Sequence, residues 1–529
     1  MDLLETDELL KIVNQSTEYQ ISKKLIREVP YFGKLLSHEC LESKESKVEL
    51  DFDEQAVKLF LNWIEFDHVL IEMKNVINLC TMIDYFGMDN NLINDYTTYF
   101  HDNFSTTHLP AVIPQVTPTS KLINSGALDA FICRHFLKIA GTKVWLNYSV
   151  ETIEYICNKD LVIHSEMQVF NAIMKWGNFK PYSRKEHLET LLKLVRWCHL
   201  DDKDLDEIKE NDFIKSANVE PIFCTPIQCD GECSFNRINQ YYFVLIEELD
   251  GTDLQIKVLD RSFMSFIKRV IQLDESLPLH LLHNETVSDI IFDSGRKMIR
   301  VDWNQNKYRL LDLNDYKSHY HKINKGILEK TEEKSYSLDT YCTFADKYTF
   351  EGSLLEFNEK FILVAENLIS REPALGEFSN CYSINLFCWT APADSRIETF
   401  FRSSDMNYLT TILNNKIYIM KDRCELIQFN IESQEMKKFR RKGTSDLSDL
   451  ILTSMPVHDD KVILIDKSTK VVECFNVNDE EWTPFGLMSN ICTSTGDQRK
   501  SNKLLTFTSA SLPINTIRSC IKRERKSME

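Results

Sequence analysis

A stretch near residue 416 recurs 45 residues later. Lys416-Ile417-Tyr418-Ile419-Met420 aligns on Lys461-Val462-Ile463-Leu464-Ile465, and Phe429-Asn430-Ile431 with Met436 and Phe439 aligns on Phe475-Asn476-Val477 with Trp482 and Phe485, at a spacing of 46. The runs are β-branched and aromatic and are divided by polar turns, so the repeating unit is a set of short strands. An all-β period of this length points to propeller blades, because one such unit cannot bury both faces alone. Fainter copies lie upstream. Ile299 to Tyr308 keeps a strand, an acidic or amide residue and an aromatic at the same offsets, and Glu359 to Val364 resembles the inner strand of another blade. The region from 241 to 510 then has room for about six blades.

The sequence before residue 241 has helical periodicity instead. After Ser165, a good N-cap, Val169, Ile173 and Trp176, widened by Phe170 and Met174, recur at amphipathic helical spacing. Asn178 to Ser183, with Pro181, breaks this helix, and a second opens near Arg184 with Leu188, Leu191, Leu192 and Val195 on one face. The residue choices here, Asp160-Leu161, Ile163, Ser165-Glu166, Val169-Phe170, Ala172, Lys175-Trp176, Arg184, His187-Leu188, Leu191-Leu192 and Val195-Arg196, resemble the BACK domain, the helical module that follows a BTB domain in Kelch-like proteins. With that resemblance the β region looks like a diverged Kelch propeller, which implies that the final strand near Leu504 to Thr508 pairs back with the first and closes the ring. It lacks the family's Gly-Gly pairs, and the whole chain has 14 glycines.

The first hundred residues fit the same plan. Leu10 to Val13 and Tyr19 to Ile21 flank a turn at Asn14-Gln15-Ser16; Lys24 to Leu36 is helical with a break at Pro30; Val48 to Phe52 is a strand; and Asp53-Glu54 opens a helix with Val57, Phe60, Leu61 and Ile64 inward. Helices follow from Asn75, with Val76, Leu79, Cys80, Ile83 and Phe86 inward, and from Asn91 to Phe104. The order and the Tyr31-Phe32 pair resemble a BTB (POZ) domain. That resemblance implies docking on the third cullin through the helix after the central strand, at Val57, Lys58 and Leu59, where Leu59 stands in place of the family's usual Glu. The short stretch before the first strand weighs against the exchanged N-terminal helix of BTB dimers, so a homodimer is disfavoured.

These readings divide the chain into an α/β BTB-like domain (1–108), a Pro-containing linker (109–120), an all-α BACK-like arm (121–217), a linker (218–240), an all-β degenerate Kelch-like propeller (241–510) and a basic flexible tail (511–529) carrying Lys522 to Lys526. Asp and Glu outnumber Lys and Arg by 80 to 62, a net charge of −18 that disfavours nucleic acid and anionic membranes as partners. The 15 cysteines show no paired spacing, and no apolar run or leader is evident, which predicts a reduced cytoplasmic protein, with the nucleus as a second compartment.

Chemistry is sparse. Cys224, Cys229 and Cys233 are closely spaced but lack the paired C-x2-C pattern and fourth ligand of a zinc site, so a reduced linker is preferred and no metal or other cofactor is expected. His164, His187 and His199 share no motif, Trp303 and Trp482 read as core, and no phosphate loop, nucleophile elbow or HExxH site occurs. The expected function is that of a substrate-recognition adaptor for a cullin-RING ubiquitin ligase, non-catalytic, with the propeller capturing a protein substrate. The alternatives are an interaction scaffold that binds no cullin and an enzyme using the propeller channel.

Overall fold

A tight hairpin opens the computed structural model, which describes residues 8–38, 41–66, 71–88, 90–211, 214, 236–238, 240–311, 352–357, 360–369, 381–390, 393–403, 408–421, 425–441, 446–455, 460–488 and 502–520. Strands β1 (Leu9–Asn14) and β2 (Thr17–Ser22) pair antiparallel around Gln15, whose φ of 50° is the left-handed value such a turn needs. Helix α1 (Lys23–Ile26) stops before Pro30, because the residue preceding a proline is held extended, and α2 (Pro30–Ser37) begins on that proline. After α3 (Leu41–Glu45), β3 (Lys47–Leu50) joins β1 in parallel and gives the sheet order β2-β1-β3. Buried Asn14 ties this sheet to the next helix: its amide donates to Phe52 O at 3.0 Å and Glu54 Oε2 at 2.9 Å and accepts from Phe52 N at 2.9 Å. The Tyr19 hydroxyl also donates to Glu54, and these bonds hold the Glu54 carboxyl below its ordinary pKa.

Helices α4 (Glu54–Phe66), α5 (Val76–Tyr85) and α6 (Asn90–Asn103) follow the expected periodicity, with Val57, Phe60, Leu61, Val76, Leu79, Cys80, Ile83 and Phe86 all buried. The stretch from 109 to 120 is a correction. Its first seven residues are not extended but form helical turns, α7 (Leu109–Val112) and a 3-10 turn (Ile113–Gln115), with Pro110 and Pro114 in first-turn positions where a missing N–H costs nothing. Leu109 and Val112 are fully buried, and the Gln115 amide accepts from Ile77 N and donates to Met73 O and Ala111 O. The chain divides into two compact units, Met1–Phe131 with His280–Asn284, and Ile132–Leu279 with Glu285–Glu529. The boundary therefore falls inside α8 (Ser125–Gly141), not at the prolines.

In the second unit α9 (Val150–Cys157), α10 (Glu166–Phe179), α11 (Pro181–Leu192) and α12 (Asp202–Glu210) complete a helical arm. Helix α11 starts three residues earlier than the apolar pattern indicates, again because its proline occupies the first turn. Gly177 of α10 lets α11 approach closely: a Cβ there would lie 2.8 Å from Leu188 Cδ2 and 3.0 Å from Cδ1. Gly177→Ala is expected to lower stability by ~1 kcal/mol, an overpacking cost of ~1–3 kcal/mol less the ~1 kcal/mol that alanine gains in a helix. The urea midpoint checks this.

The rest is strand. A seven-stranded sheet of order β22-β4-β5-β6-β9-β8-β7 is built from β4 (Tyr241–Glu248), β5 (Leu254–Leu259), β6 (Ser265–Leu273), β7 (Val287–Phe292), β8 (Lys297–Asp302), β9 (Lys307–Leu311) and β22 (Lys503–Ser511). Its two halves meet where β6 and β9 run parallel over the pairs Gln272↔Lys307 and Leu273↔Tyr308. Three separate four-stranded meanders follow: β10 (Gly352–Phe357), β11 (Lys360–Ile369), β12 (Cys381–Thr390) and β13 (Ala393–Ser403); β14 (Tyr408–Leu413), β15 (Lys416–Lys421), β16 (Glu425–Asn430) and β17 (Met436–Arg440); β18 (Leu450–Ser454), β19 (Lys461–Asp466), β20 (Val471–Asn476) and β21 (Glu481–Leu487).

The 45-residue repeat maps strand on strand, β15 to β19 and β16 to β20. This is a propeller-like domain, with first strands β10, β14, β18 and β22 side by side and β7 beside β22. Lys360 to Val364 lie in the second strand, β11, not the innermost one. Five blade-like units are traced among the described residues, and 312–351 lie outside them. The turn between β14 and β15 is built on left-handed polar residues, Asn414 (φ 47°) and Asn415 (φ 62°), which tolerate that region.

Two further boundaries differ from expectation. Arg237 and Gln240, assigned to the 218–240 linker, are buried against the arm, and residues 514–520 of the expected flexible tail are helical, with Ile514 and Ile517 in the core of the seven-stranded sheet. Hydrogen bonds to Leu194 O and Leu161 O let Arg237 and Gln240 be buried, and the apolar Ile514 and Ile517 draw the start of the tail into the core. Cys224, Cys229, Cys233 and the basic cluster Lys522 to Lys526 lie outside the described residues.

Candidate functional site

The cullin-facing positions inferred from sequence sit on the second turn of α4, whose N-terminus is capped by Asp53 Oδ1 accepting from Ala56 N at 2.9 Å. Val57 is 1% exposed and turns inward with Ala56, Phe60 and Leu61. The same helical spacing that makes it core removes it from any surface. Lys58 is exposed and Leu59 half-buried, so the triplet offers a partner those two residues. In the same unit α2 and the end of α5 wall a groove of ≈ 470 Å³, lined by Tyr31, Lys34, Leu35, His38, Tyr85 and Phe86. Tyr31 stands 5.5 Å from Tyr85 and 5.4 Å from Phe86, ring centre to ring centre.

In the arm, most side chains that carry the sequence resemblance are held inside, while Asp160 and Lys175 are exposed. Ser165 Oγ accepts from Met167 N at 3.1 Å, and Gln168 Oε1 accepts from Ser165 N at 3.4 Å, the back half of a capping box at the head of α10, and from His164 N at 2.7 Å. Trp176 donates to Tyr148 O at 3.0 Å and lies under the Arg184 guanidinium, 4.1 Å from its ring centre. Arg184 in turn donates to Trp176 O at 2.7 Å and Leu146 O at 2.8 Å, and burial pulls its pKa below the ordinary value. Lys175 donates to Ala140 O and Gly141 O. These polar groups satisfy helix ends and backbone carbonyls, so they specify the arm's shape and present no reactive face. His187 is near the Glu186 carboxylate at 3.6 Å, His164 reaches the Tyr241 hydroxyl at 3.3 Å, and His199 ends a 3-10 turn.

The propeller-like domain holds a set of groups that sequence reasoning missed. Its first strands carry paired hydroxyl residues, Thr410-Thr411, Thr453-Ser454 and Thr508-Ser509. Ser454 Oγ donates to Ile412 O at 2.7 Å and meets Thr411 Oγ1 at 2.8 Å; Ser509 Oγ donates to Ser454 O at 2.6 Å; Thr508 Oγ1 donates to Ile291 O at 2.9 Å. Thr410 N donates to Ser294 Oγ at 2.8 Å, and the Tyr408 hydroxyl donates to Val364 O at 2.9 Å. The hydroxyl bonds link β14 to β18, β18 to β22 and β22 to β7, while Tyr408 reaches the second strand β11 and Thr410 the turn after β7. The repeated Thr/Ser pair in otherwise apolar runs was the available signal. Trp303 is core, donating to Ser288 Oγ at 3.0 Å, and Trp482 packs partly buried beside Phe475.

Among the described residues no group of three or more His, Cys, Asp or Glu side chains is placed to hold a metal ion, and no helix is long and apolar enough to cross a membrane. Cys80, Cys133, Cys157, Cys198, Cys474 and Cys520 form no disulfide among the described residues, and burial pushes the Cys80 thiol up to about 11 and that of Cys157 to about 12.

With the arm's geometry in hand, its likeness to known proteins can be stated. Residues 124–210 match the BACK model, "BTB And C-terminal Kelch". The BACK segment thus runs from the start of α8 to the end of α12. Among solved structures, apo AztD from Citrobacter koseri is similar at 8% identity and a TM-score of 0.20, over 51% of this chain and 98% of that one. A structural genomics protein of unknown function from Bacteroides thetaiotaomicron is similar at 10% identity and 0.18, over 46% and 64%, and Kuenenia stuttgartiensis hydrazine synthase at 9% and 0.15, over 45% and 70%. Likenesses this weak carry no argument about function.

Proposed function

We propose that this chain is a non-catalytic adaptor in which the first unit docks on the third cullin of a ubiquitin ligase, the BACK segment sets distance, and the propeller-like domain captures a protein substrate. The BACK match over 124–210 is the observation that carries this reading. The strand and helix order before it and the meander sheets after it support the same plan. Such an adaptor works by proximity, raising the effective concentration of substrate lysines near the ligase's charged ubiquitin carrier. It performs no covalent chemistry, uses no cofactor and acts in the cytoplasm.

A second reading is favoured by one observation. With Val57 in the core and Leu59 where the family places Glu, the α4 face offers a cullin little, which suits a scaffold that captures partners without a ligase. A quantitative pulldown of the full chain with the N-terminal region of the third cullin separates the two. Binding that tightens in Leu59→Glu, by the ~1–3 kcal/mol of one charged hydrogen bond, supports the adaptor. No binding in either form sinks the ligase role and leaves the scaffold.

A further inference from the structure

The segment that leads into β4 is fastened to the arm by an unusual buried pair. Arg237 is 2% exposed and Glu166, at the first turn of α10, 0%. Arg237 Nε stands 3.6 Å from Glu166 Oε1, too far for a hydrogen bond, and neither these two atoms nor Arg237 Nη1 has a partner among the described residues. The remaining contacts are directional: Arg237 Nη2 donates to Leu194 O at 3.1 Å, and Glu166 Oε2 accepts from Arg196 N at 3.1 Å. Around the pair, Arg196 Nη2 meets Asp160 Oδ1 at 2.6 Å and Gln240 Nε2 donates to Leu161 O at 2.7 Å. Leu512 N donates to Gln240 O at 3.0 Å, so the same segment also holds the chain just after β22. The adjacent Cys157 thiol stays neutral and supplies no compensating charge.

Two opposite charges removed from water, with hydrogen-bonding capacity left unused, do not recover their desolvation cost through mutual attraction; apolar side chains of equal volume do as well or better. What such a pair provides is direction, since it is satisfied in one arrangement of the arm and the sheet and in no slipped one. We propose that Glu166 and Arg237 form a positional latch that fixes the orientation of the BACK segment on the propeller-like domain, at no gain in stability. This property stands whether or not a cullin is bound.

The test uses the full chain with spin labels introduced as non-canonical amino acids at exposed Thr190 in the arm and Glu481 on β21. Glu166→Leu or Arg237→Met alone strands the opposite charge and is expected to lower the unfolding midpoint by at least about 5 °C. The double variant Glu166→Leu/Arg237→Met is expected to return to within about 2 °C of the parent while its inter-label distance distribution broadens about twofold. A double variant that keeps the narrow distribution overturns the latch. So does a double variant as unstable as the single ones, which makes the pair a net stabiliser, and so do single variants that melt like the parent.

Discussion

A chain shortened to residues 1–502 is expected to lose its β half altogether. The strand removed, β22, supplies the full antiparallel ladder on the free edge of β4, from Lys503↔Glu248 to Ser511↔Tyr241. It carries Leu504 and Phe507 into the core, and Leu512, Ile514 and Ile517 follow it there, each 7% exposed or less. Five side chains of this size contribute roughly 8–15 kcal/mol on burial, about the whole stability of an ordinary domain at ~5–15 kcal/mol. The cut also strips the hydroxyls of Thr508 and Ser509 that reach Ile291 and Ser454 in neighbouring sheets. Limited proteolysis should degrade the region from 241 onward while fragments of the first unit persist. A shortened chain with a cooperative β transition would show that the ring does not depend on its closing strand.

Val57→Asp should be nearly as damaging in the first unit. The new carboxylate has no partner at a position 1% exposed, between Ala56, Phe60 and Leu61, and a stranded buried charge costs roughly 3–5 kcal/mol. The urea midpoint should fall accordingly, while Lys58→Asp, on the exposed face of the same turn, should change stability by no more than about 0.5 kcal/mol. Lost cullin binding in Val57→Asp would therefore report unfolding, and only Lys58 and Leu59 variants report docking. Equal midpoints for Val57→Asp and Lys58→Asp would contradict the placement of Val57.

Much of this architecture was legible because it is periodic. Val169, Ile173 and Trp176 mark a helix by spacing alone, and the 45-residue recurrence marks homologous strands. The pairing of Leu504 to Thr508 with β4 was implied by the Kelch resemblance and not by periodicity. The misreadings share a cause. Pro110 and Pro114 suggested an extended linker because proline breaks helix interiors, but in first-turn positions it starts helical turns instead. Arg237 and Gln240 looked like linker because polarity was read as exposure, whereas their hydrogen bonds to the arm let them be buried. Val57 received two incompatible roles, core by spacing and contact by alignment, and only three-dimensional placement separates them. The Thr/Ser pairs of the first strands went unread since periodicity counts apolar residues, and their partners lie in other sheets.

The pairing of β22 with β4 also sets a timetable. Lys503 and Glu248 are 255 residues apart, so while the chain is being synthesised β4 waits with a bare edge until nearly the entire domain has been made. At ~5–20 residues per second that wait lasts roughly 13–50 seconds. Throughout it the edge is open to pairing with other nascent strands, and slow, long-range closure of this kind is the step at which such chains are lost to aggregation. The yield of folded protein is thus governed less by how stable the finished ring is than by what shields one strand edge before the last strand arrives.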